Sequence, residues 1–289
     1  MTLRTLSLSV FLSVQALAGR AQVAPADSLP RPYALTPTRE TVLFGTGAAL
    51  GVTSLLLDRE LAPLTPAQLA QLDRRTIPAF DRGATYQWSP GAARLSDVTL
   101  LTGMASVGVV ALLPRARPDF IKIGVMYAEA GLLAGSTVLL VKNLAQRTRP
   151  FAYNPDADPV EKAQRDARRS FFSGHATIAF TSAAFASEVF SRYYPESRWR
   201  PVVWGGSLAL ATTTALLRYE AGKHFPTDLL TGAAVGSLVG WGVPKLHQRR
   251  RQHPQQAQRR LDLRPWSNGQ ASGIYVCWTI SPTNFVQTK

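Results

Sequence analysis

Six apolar runs divide this chain and limit the folds that it can adopt. Each run is about one helix long, rich in Ala, Gly, Leu, Val and Thr, and nearly free of charge. The runs cover 41–57, 98–114, 121–141, 176–190, 201–217 and 229–244. Since a helix that crosses a membrane needs about 17 to 20 apolar residues, they predict an all-α bundle of about six mostly membrane-embedded helices.

A second interpretation is that the runs are buried helices of a soluble all-α domain. The mean hydropathy of −0.01 is compatible with it. Against it, small residues recur at four-residue spacing in the last run, at Gly232, Gly236 and Gly240. Because this spacing lets helix backbones approach each other closely in lipid, we favour the membrane bundle.

The two ends of the chain differ from the apolar runs. Arg4 precedes an apolar stretch and small residues, so 1–21 is predicted to be a secretory leader, with an uncleaved anchor as the alternative. The helical bundle is assigned to 41–245, with its polar motifs within 142–228, and a basic juxtamembrane segment and tail to 246–289. The tail favours strand around Ile274–Trp278, and the single cysteine, Cys277, excludes an internal disulfide.

The formal charge of +14 raises the question of nucleic acid as a partner. The excess is concentrated directly after the last apolar run, in Arg249, Arg250, Arg251, Arg259 and Arg260. Basic residues in that position hold a helix end at the cytoplasmic face, where they meet anionic lipid. No basic surface interleaved with aromatic residues is evident, so we predict a membrane partner and no nucleic acid. The oligomeric state is not readable from the sequence.

Loop charges orient the predicted bundle. Two short loops, around 115–122 and 192–200, are basic, whereas the 58–97 connection balances Arg against Asp and Glu. The positive-inside bias therefore places the motif segments at the periplasmic face of a bacterial inner membrane. A cleaved leader followed by six spans would place them at the cytoplasmic face instead. Either the leader is retained and an early run does not cross, or 41–57 is re-entrant or packed across the bundle, or the domain is soluble and periplasmic.

Two motifs lie where apolar runs meet polar segments. Lys142 follows the third run, and Arg149 stands before Pro150, so the pair is either an interfacial anchor or an anion site. Ser173, Gly174 and His175 open the fourth run. A serine cap and the N–H groups of a helix start can bind an anion, although an ordinary cap followed by a surface histidine has the same pattern.

A third motif joins Arg218, at the end of the fifth run, to His224 and Asp228. Pro226 fits the first turn of the next helix, so Asp228 lies one turn beyond His224. We expect the carboxylate to accept a hydrogen bond from the ring and to fix its tautomer, as in hydrolase triads. A structural His–Asp pair is the alternative.

The three motifs together supply three cations, two imidazoles, a carboxylate and a hydroxyl, which are the groups needed to bind a phosphate and pass it through a histidine. Their order and spacing, Lys-x6-Arg-Pro, Ser-Gly-His and Arg-x5-His-x3-Asp, resemble the signature of the type 2 phosphatidic acid phosphatase superfamily. That superfamily includes membrane lipid phosphatases, bacterial non-specific acid phosphatases and vanadium haloperoxidases. The resemblance covers 121–244, and departs from the usual pattern at Phe172 and Leu217, where the family has Pro and Ser.

The resemblance implies a role for each motif residue. His224 would be the nucleophile, Asp228 would orient it, and His175 would protonate the leaving oxygen and then activate water. Neither a metal nor a cofactor is implied. The phosphate would be held by Lys142, Arg149, Ser173, Gly174 and Arg218.

The expected function is hydrolysis of a lipid phosphomonoester or diphosphate through a phosphohistidine. Phosphatidic acid, phosphatidylglycerophosphate and undecaprenyl diphosphate are substrates of the expected type. The first alternative is a soluble periplasmic non-specific acid phosphatase. A vanadium-dependent haloperoxidase agrees less well with a short apolar chain, and a non-enzymatic membrane protein agrees less well with the full set of charged motif residues.

Overall fold

The computed structural model describes residues 31–59, 61–249, 260–267 and 272–279. The predicted leader, 1–21, lies outside the described residues. The chain divides after Gln248 into a large helical unit and a small C-terminal unit.

Six long helices form the helical unit, and each carries one of the predicted apolar runs. They are α1 (Pro37–Asp58), α2 (Pro90–Leu112), α3 (Phe120–Ala145), α4 (Gly174–Tyr193), α5 (Arg200–Glu220) and α6 (Pro226–His247). Proline occupies the first turn of α1, α2, α5 and α6, where its missing N–H costs no hydrogen bond. The prediction of an all-α bundle of about six helices is confirmed.

Short helices connect the long ones. The α-helical turns are Pro66–Ala70, Ala79–Arg82 and Pro159–Lys162, and the 3₁₀ turns are Arg74–Thr76, Gly83–Tyr86, Arg117–Asp119, Pro150–Tyr153 and Arg165–Arg168. The first of them begins with a capping box. The Thr65 hydroxyl accepts from the Gln68 N–H, and the Gln68 side chain accepts from the Thr65 N–H.

Helix α4 lies at the centre of the bundle, packed against α2, α3, α5 and α6. Its closest neighbour is the glycine-bearing face of α6. A Cβ atom at Gly236 or Gly240 would lie 2.2 Å from the carbonyl oxygen of Thr177 or Thr181. The close helix approach expected from the glycine spacing is therefore present, and it fixes the position of α6 against α4.

Four helical segments are long and apolar enough to cross a membrane: Pro37–Asp58, Pro90–Leu112, Arg117–Tyr153 and Pro226–His247. They correspond to α1, α2, α3 and α6. Helices α4 and α5 do not meet these criteria, whereas the sequence predicted about six mostly membrane-embedded helices. Helix α4 instead buries Thr177, Thr181, Ser187 and Glu188 inside the bundle.

The C-terminal unit contains two strands, β1 (Arg260–Ser267) and β2 (Ser272–Thr279). They pair in antiparallel register, with Leu263 opposite Val276. The strand preference predicted for the tail is confirmed.

Candidate active site

The first motif lies where α3 ends. Lys142 stands in the last turn of α3, and Gln146 ends the helix in the left-handed conformation, with φ 45°. The chain then reverses, and Arg149 is 4% exposed. Its guanidinium donates to the backbone oxygen and the carboxylate of Asp166, at 2.9 and 2.7 Å, and to the carbonyl of Lys223 at 3.3 Å. Arg149 is thus held in a fixed position by the 151–169 segment and by the third motif.

The second motif forms the start of α4. Ser173 is the N-cap, and its hydroxyl accepts from the N–H of Ala176 at 3.3 Å, as predicted. His175 lies in the first turn, where its Nε2 is 2.7 Å from the Asp97 carboxylate of α2. Burial, and then the positive charge of Arg218, lower the pKa of His175 to about 4, although Asp97 opposes this shift.

The third motif begins with Arg218 in the last turn of α5. This side chain is 7% exposed, donates to the Ser96 hydroxyl at 3.3 Å, and has an Nε without a hydrogen-bond partner among the described residues. Gly222 then turns the chain at φ 67°, where a Cβ would lie 2.3 Å from the Gln87 carbonyl oxygen. Glycine is therefore required for the turn that brings His224 beside Arg149.

His224 is 1% exposed, and its Nδ1 lies 2.8 Å from the backbone carbonyl oxygen of Ser170. A carbonyl oxygen can only accept, so Nδ1 carries the proton and Nε2 carries the lone pair. This is the tautomer that a nucleophilic Nε2 requires. Burial, and then the charges of Arg149, Lys142, Arg218 and His175, lower the pKa of His224 well below its usual range, which keeps the ring neutral.

The expected hydrogen bond between His224 and Asp228 is absent. The nearest Asp228 oxygen is 3.7 Å from Nδ1, which is too long for a hydrogen bond, and Ser170 takes the place of the carboxylate. Asp228 is fully buried in the first turn of α6 and folds back onto the Phe225 N–H at 2.9 Å. It also accepts from the Ser170 hydroxyl, so the carboxylate holds the segment whose carbonyl orients the histidine.

Arg147 completes the support behind this site. Its guanidinium donates to Asp228 at 2.5 Å and to Asp81 at 2.7 Å, and it lies over the Phe225 ring at 4.1 Å. Asp81 in turn accepts from the N–H and the hydroxyl of Thr227. Burial alone would raise the pKa of Asp81, but Arg147 and Thr227 lower it below its usual range.

The 151–169 segment supplies a carboxylate near the cations of the site. Partial burial would raise the pKa of Asp166, but Arg149, Lys142 and Lys223 lower it. Lys223 also pairs with Glu161 of the same segment. Acid–base pairs therefore bind this segment to the first and third motifs.

The structure brings the predicted residues of all three motifs to one end of the bundle. The charges of the three predicted cations and of the second histidine lower the pKa of His224. Sequence reasoning missed Asp81, Asp97, Arg147 and Ser170. Arg147 falls in the variable gap of the first motif, and the two aspartates come from the charge-balanced 58–97 connection, where no local pattern marks them. The catalytic roles assigned to the motif residues stay predictions.

Comparisons with known proteins agree with the three motifs. Residues 120–252 match the family model described as the PAP2 superfamily. Decaprenylphosphoryl-5-phosphoribose phosphatase of Mycobacterium tuberculosis is 26% identical over 185 residues, which are 63% of this chain and 86% of that protein. Lipid A 4'-phosphatase of Porphyromonas gingivalis is 30% identical over 105 residues, which are 35% of this chain and 40% of that protein.

A solved structure is also similar. It is the first transmembrane PAP2 type phosphatidylglycerolphosphate phosphatase from Bacillus subtilis, with 20% sequence identity and a TM-score of 0.43. The similarity covers 69% of this chain and 94% of that one.

Proposed function

We propose that the chain is a PAP2-superfamily membrane phosphatase that hydrolyses a lipid-linked phosphate through a phosphohistidine, since residues 120–252 match the model of that superfamily and carry the three motifs. One observation carries the proposal. His224 is buried, its Nδ1 is bonded to a carbonyl group, and burial together with the charges of three cations and a second histidine lowers its pKa. A neutral imidazole among fixed cations is suited to attack phosphorus while the cations stabilise charge on the phosphoryl oxygens.

In the first step, the lone pair on His224 Nε2 forms a bond to phosphorus, and the bond to the leaving oxygen breaks. Lys142, Arg149 and Arg218 neutralise the phosphoryl oxygens, with Ser173 and the Gly174 N–H at the helix start. His175 gives its proton to the leaving oxygen. The pKa of His175 is low in the free protein, so the ring must become protonated when the substrate binds. The negative charge of the bound phosphate dianion raises this pKa and favours the imidazolium.

In the second step, His175 takes a proton from water, and the resulting hydroxide attacks the phosphohistidine. The P–N bond breaks, inorganic phosphate leaves, and His224 regains its lone pair. Asp228 is assigned here as a positioning residue, because it holds Ser170 and Arg147 and does not hydrogen bond the ring.

The names of the relatives support a lipid-linked substrate, since one acts on a decaprenylphosphoryl sugar phosphate and another on lipid A. Candidate substrates share a phosphate ester or diphosphate attached to an acyl or prenyl chain. We also propose that the chain lies in a bacterial inner membrane with this site at the periplasmic face. Four apolar spans and the basic loops far from the motifs support that setting.

Phosphate release from a panel of lipid phosphates and soluble phosphomonoesters tests the proposal. The wild type is compared with His224→Ala and with His253→Ala, a matched change of a histidine outside the motifs. We expect His224→Ala to lose at least about 1,000-fold in kcat/KM because the nucleophile is gone, and His253→Ala to match the wild type. Unchanged activity in His224→Ala would contradict the mechanism.

The same panel separates the alternatives. Hydrolysis of soluble esters alone, by protein that leaves the membrane on alkaline extraction, would favour a soluble-type acid phosphatase.

The phosphohistidine intermediate is tested with phosphate-labelled substrate, and the reaction is quenched during turnover. We expect an acid-labile, base-stable label on the protein, absent in His224→Ala and increased in His175→Ala when the leaving group is p-nitrophenolate. Hydrolysis of an impermeant soluble ester by intact spheroplasts tests the periplasmic orientation.

A further inference from the structure

A second polar cluster lies at the opposite end of the same helices. Glu40 of α1, Glu129 of α3 and His247 of α6 place one ligand atom each within 4.8 Å of one another. The His247 Nε2 is 3.2 Å from a Glu40 oxygen and 3.1 Å from a Glu129 oxygen. Glu129 and His247 are both fully buried. No motif residue of the phosphate site belongs to this cluster.

The side-chain atoms that face each other in this cluster are hydrogen-bond acceptors. His247 Nδ1 lies 2.8 Å from the Val243 carbonyl oxygen, so Nδ1 carries the proton in the neutral ring. Nε2 then presents a lone pair to two carboxylates, which are acceptors as well. Among the described residues, neither oxygen of Glu129 nor the Nε2 of His247 has a hydrogen-bond partner of acceptable geometry. Three acceptors converge where a positive charge would stabilise all of them.

The neighbouring arginine does not supply that charge to Glu129. Arg39 donates to the Glu40 carboxylate through Nε and a terminal nitrogen, at 3.2 and 2.9 Å. It also binds the carbonyls of Ala34 and Leu246, which fixes it at the end of the helices. Arg39 therefore compensates Glu40, while Glu129 stays buried inside an apolar span and has no paired donor in the part of the chain that the structure describes. An ionisable group inside a membrane span costs free energy, and such groups typically mark a functional site.

We propose that Glu40, Glu129 and His247 bind a divalent transition metal ion, with zinc as the best match. An imidazole nitrogen and carboxylate oxygens are ligands that zinc accepts in tetrahedral geometry. Tetrahedral ligands at about 2.0 Å from zinc stand about 3.3 Å apart, close to the two separations at Nε2. The Nε2 lone pair of His247 is free to bind the ion. Two outer hydrogen bonds, from His247 Nδ1 to a carbonyl and from Arg39 to Glu40, are of the kind that orients metal ligands.

The position of the cluster indicates a structural role. Glu129 is 13 residues from Lys142 along α3, a rise of about 20 Å, so the ion is remote from the phosphate site. It joins the start of α1 to the end of α6 and to the interior of α3. Among the long helices, α1 packs mainly on α3, and Arg39 also binds the Leu246 carbonyl of α6. The ion would thus fasten the first helix to the rest of the bundle.

Metal content tests the proposal directly. The protein is purified through a tag without histidines, dialysed against zinc and then against buffer, and its zinc is measured by mass spectrometry. We expect about one zinc per wild-type chain and loss of it in Glu129→Gln, because the buried ligand is removed. Glu188→Gln is the matched control: Glu188 is also buried, but pairs with Arg192 and Lys245, so its zinc content should equal that of the wild type. No zinc in the wild type, or equal zinc in Glu129→Gln, would overturn the site.

A second measurement needs no variant to fold. Cobalt replaces zinc in the wild-type protein, and the intense visible absorption of tetrahedral cobalt should appear and then disappear on addition of zinc. A chelator should lower the melting temperature of the wild type. Absence of the tetrahedral cobalt spectrum, or a melting temperature that the chelator leaves unchanged, would contradict zinc at this site.

Discussion

Helices α3 and α6 contribute to two clusters of opposite character. At the motif end, α3 contributes Lys142 and α6 contributes Asp228, whereas the second cluster takes Glu129 from the interior of α3 and His247 from the end of α6. Asp228 accepts from Arg147, Ser170 and Phe225, so the donors that stabilise its charge are not the three cations of the motifs. Glu129 has no such donor among the described residues. In the two proposals, the same pair of helices contributes to a site for an anion and to a site for a cation.

The largest effect is expected when the negative charge of Asp228 at the motif end is removed. Asp228→Asn keeps the size of the side chain but takes away the charge that Arg147 binds. We expect the free energy of unfolding to fall by about 2 to 3 kcal/mol, since a buried charge-assisted pair is broken, together with a loss of kcat/KM. Denaturant unfolding in detergent and phosphate release measure the two effects.

Asp156→Asn serves as the control, because Asp156 is exposed and lies outside the site. It should leave stability and activity unchanged. A variant at Asp228 that lost activity with full stability would instead favour the direct orientation of His224 by the carboxylate.

A smaller effect is expected where α6 is held between its two ends. Gly236→Ala would place a Cβ 2.2 Å from the Thr177 carbonyl oxygen, so α6 must move away from α4. We expect a loss of about 1 to 3 kcal/mol in stability, with weaker phosphate release, because His224 and Asp228 depend on the position of α6. Gly242→Ala meets nothing within 4 Å and should be neutral or slightly stabilising. Equal melting temperatures for the two variants would contradict the close contact.

The smallest effect is expected at the edge of the motif end, where Asp97 contacts His175 at 2.7 Å. The carboxylate raises the pKa of His175 against burial, so Asp97→Asn lowers this pKa further. As the pH rises, the imidazolium form of His175, which donates the proton, is then lost at a lower pH than in the wild type. The falling limb of the kcat/KM profile should move towards acid by up to about one pH unit, with a loss of roughly 10-fold near neutrality. Asp97→Glu should restore the profile, and an unchanged profile in Asp97→Asn would exclude a positioning role.

Much of the motif end could be predicted from local pattern. Ser173 is the helix cap, Pro226 opens α6, and Lys142 and Arg218 stand in the last turns of their helices, because caps and apolar periodicity are properties of neighbouring residues. The partner of His224 was not predictable in that way. Ser170 offers a backbone carbonyl, which every residue has, and only the fold selects this one.

The sequence by itself determined the six helices, the three motifs and the spacing of glycines that draws α6 onto α4, since each depends on the order of residue types within one segment. Only the tertiary structure decided which groups meet across segments. It placed Asp97 on His175, Arg147 between Asp81 and Asp228, and Glu40 beside Glu129 and His247. The physical reason is that the charge of a buried group is set by the donors that surround it, and those donors come from distant parts of the chain.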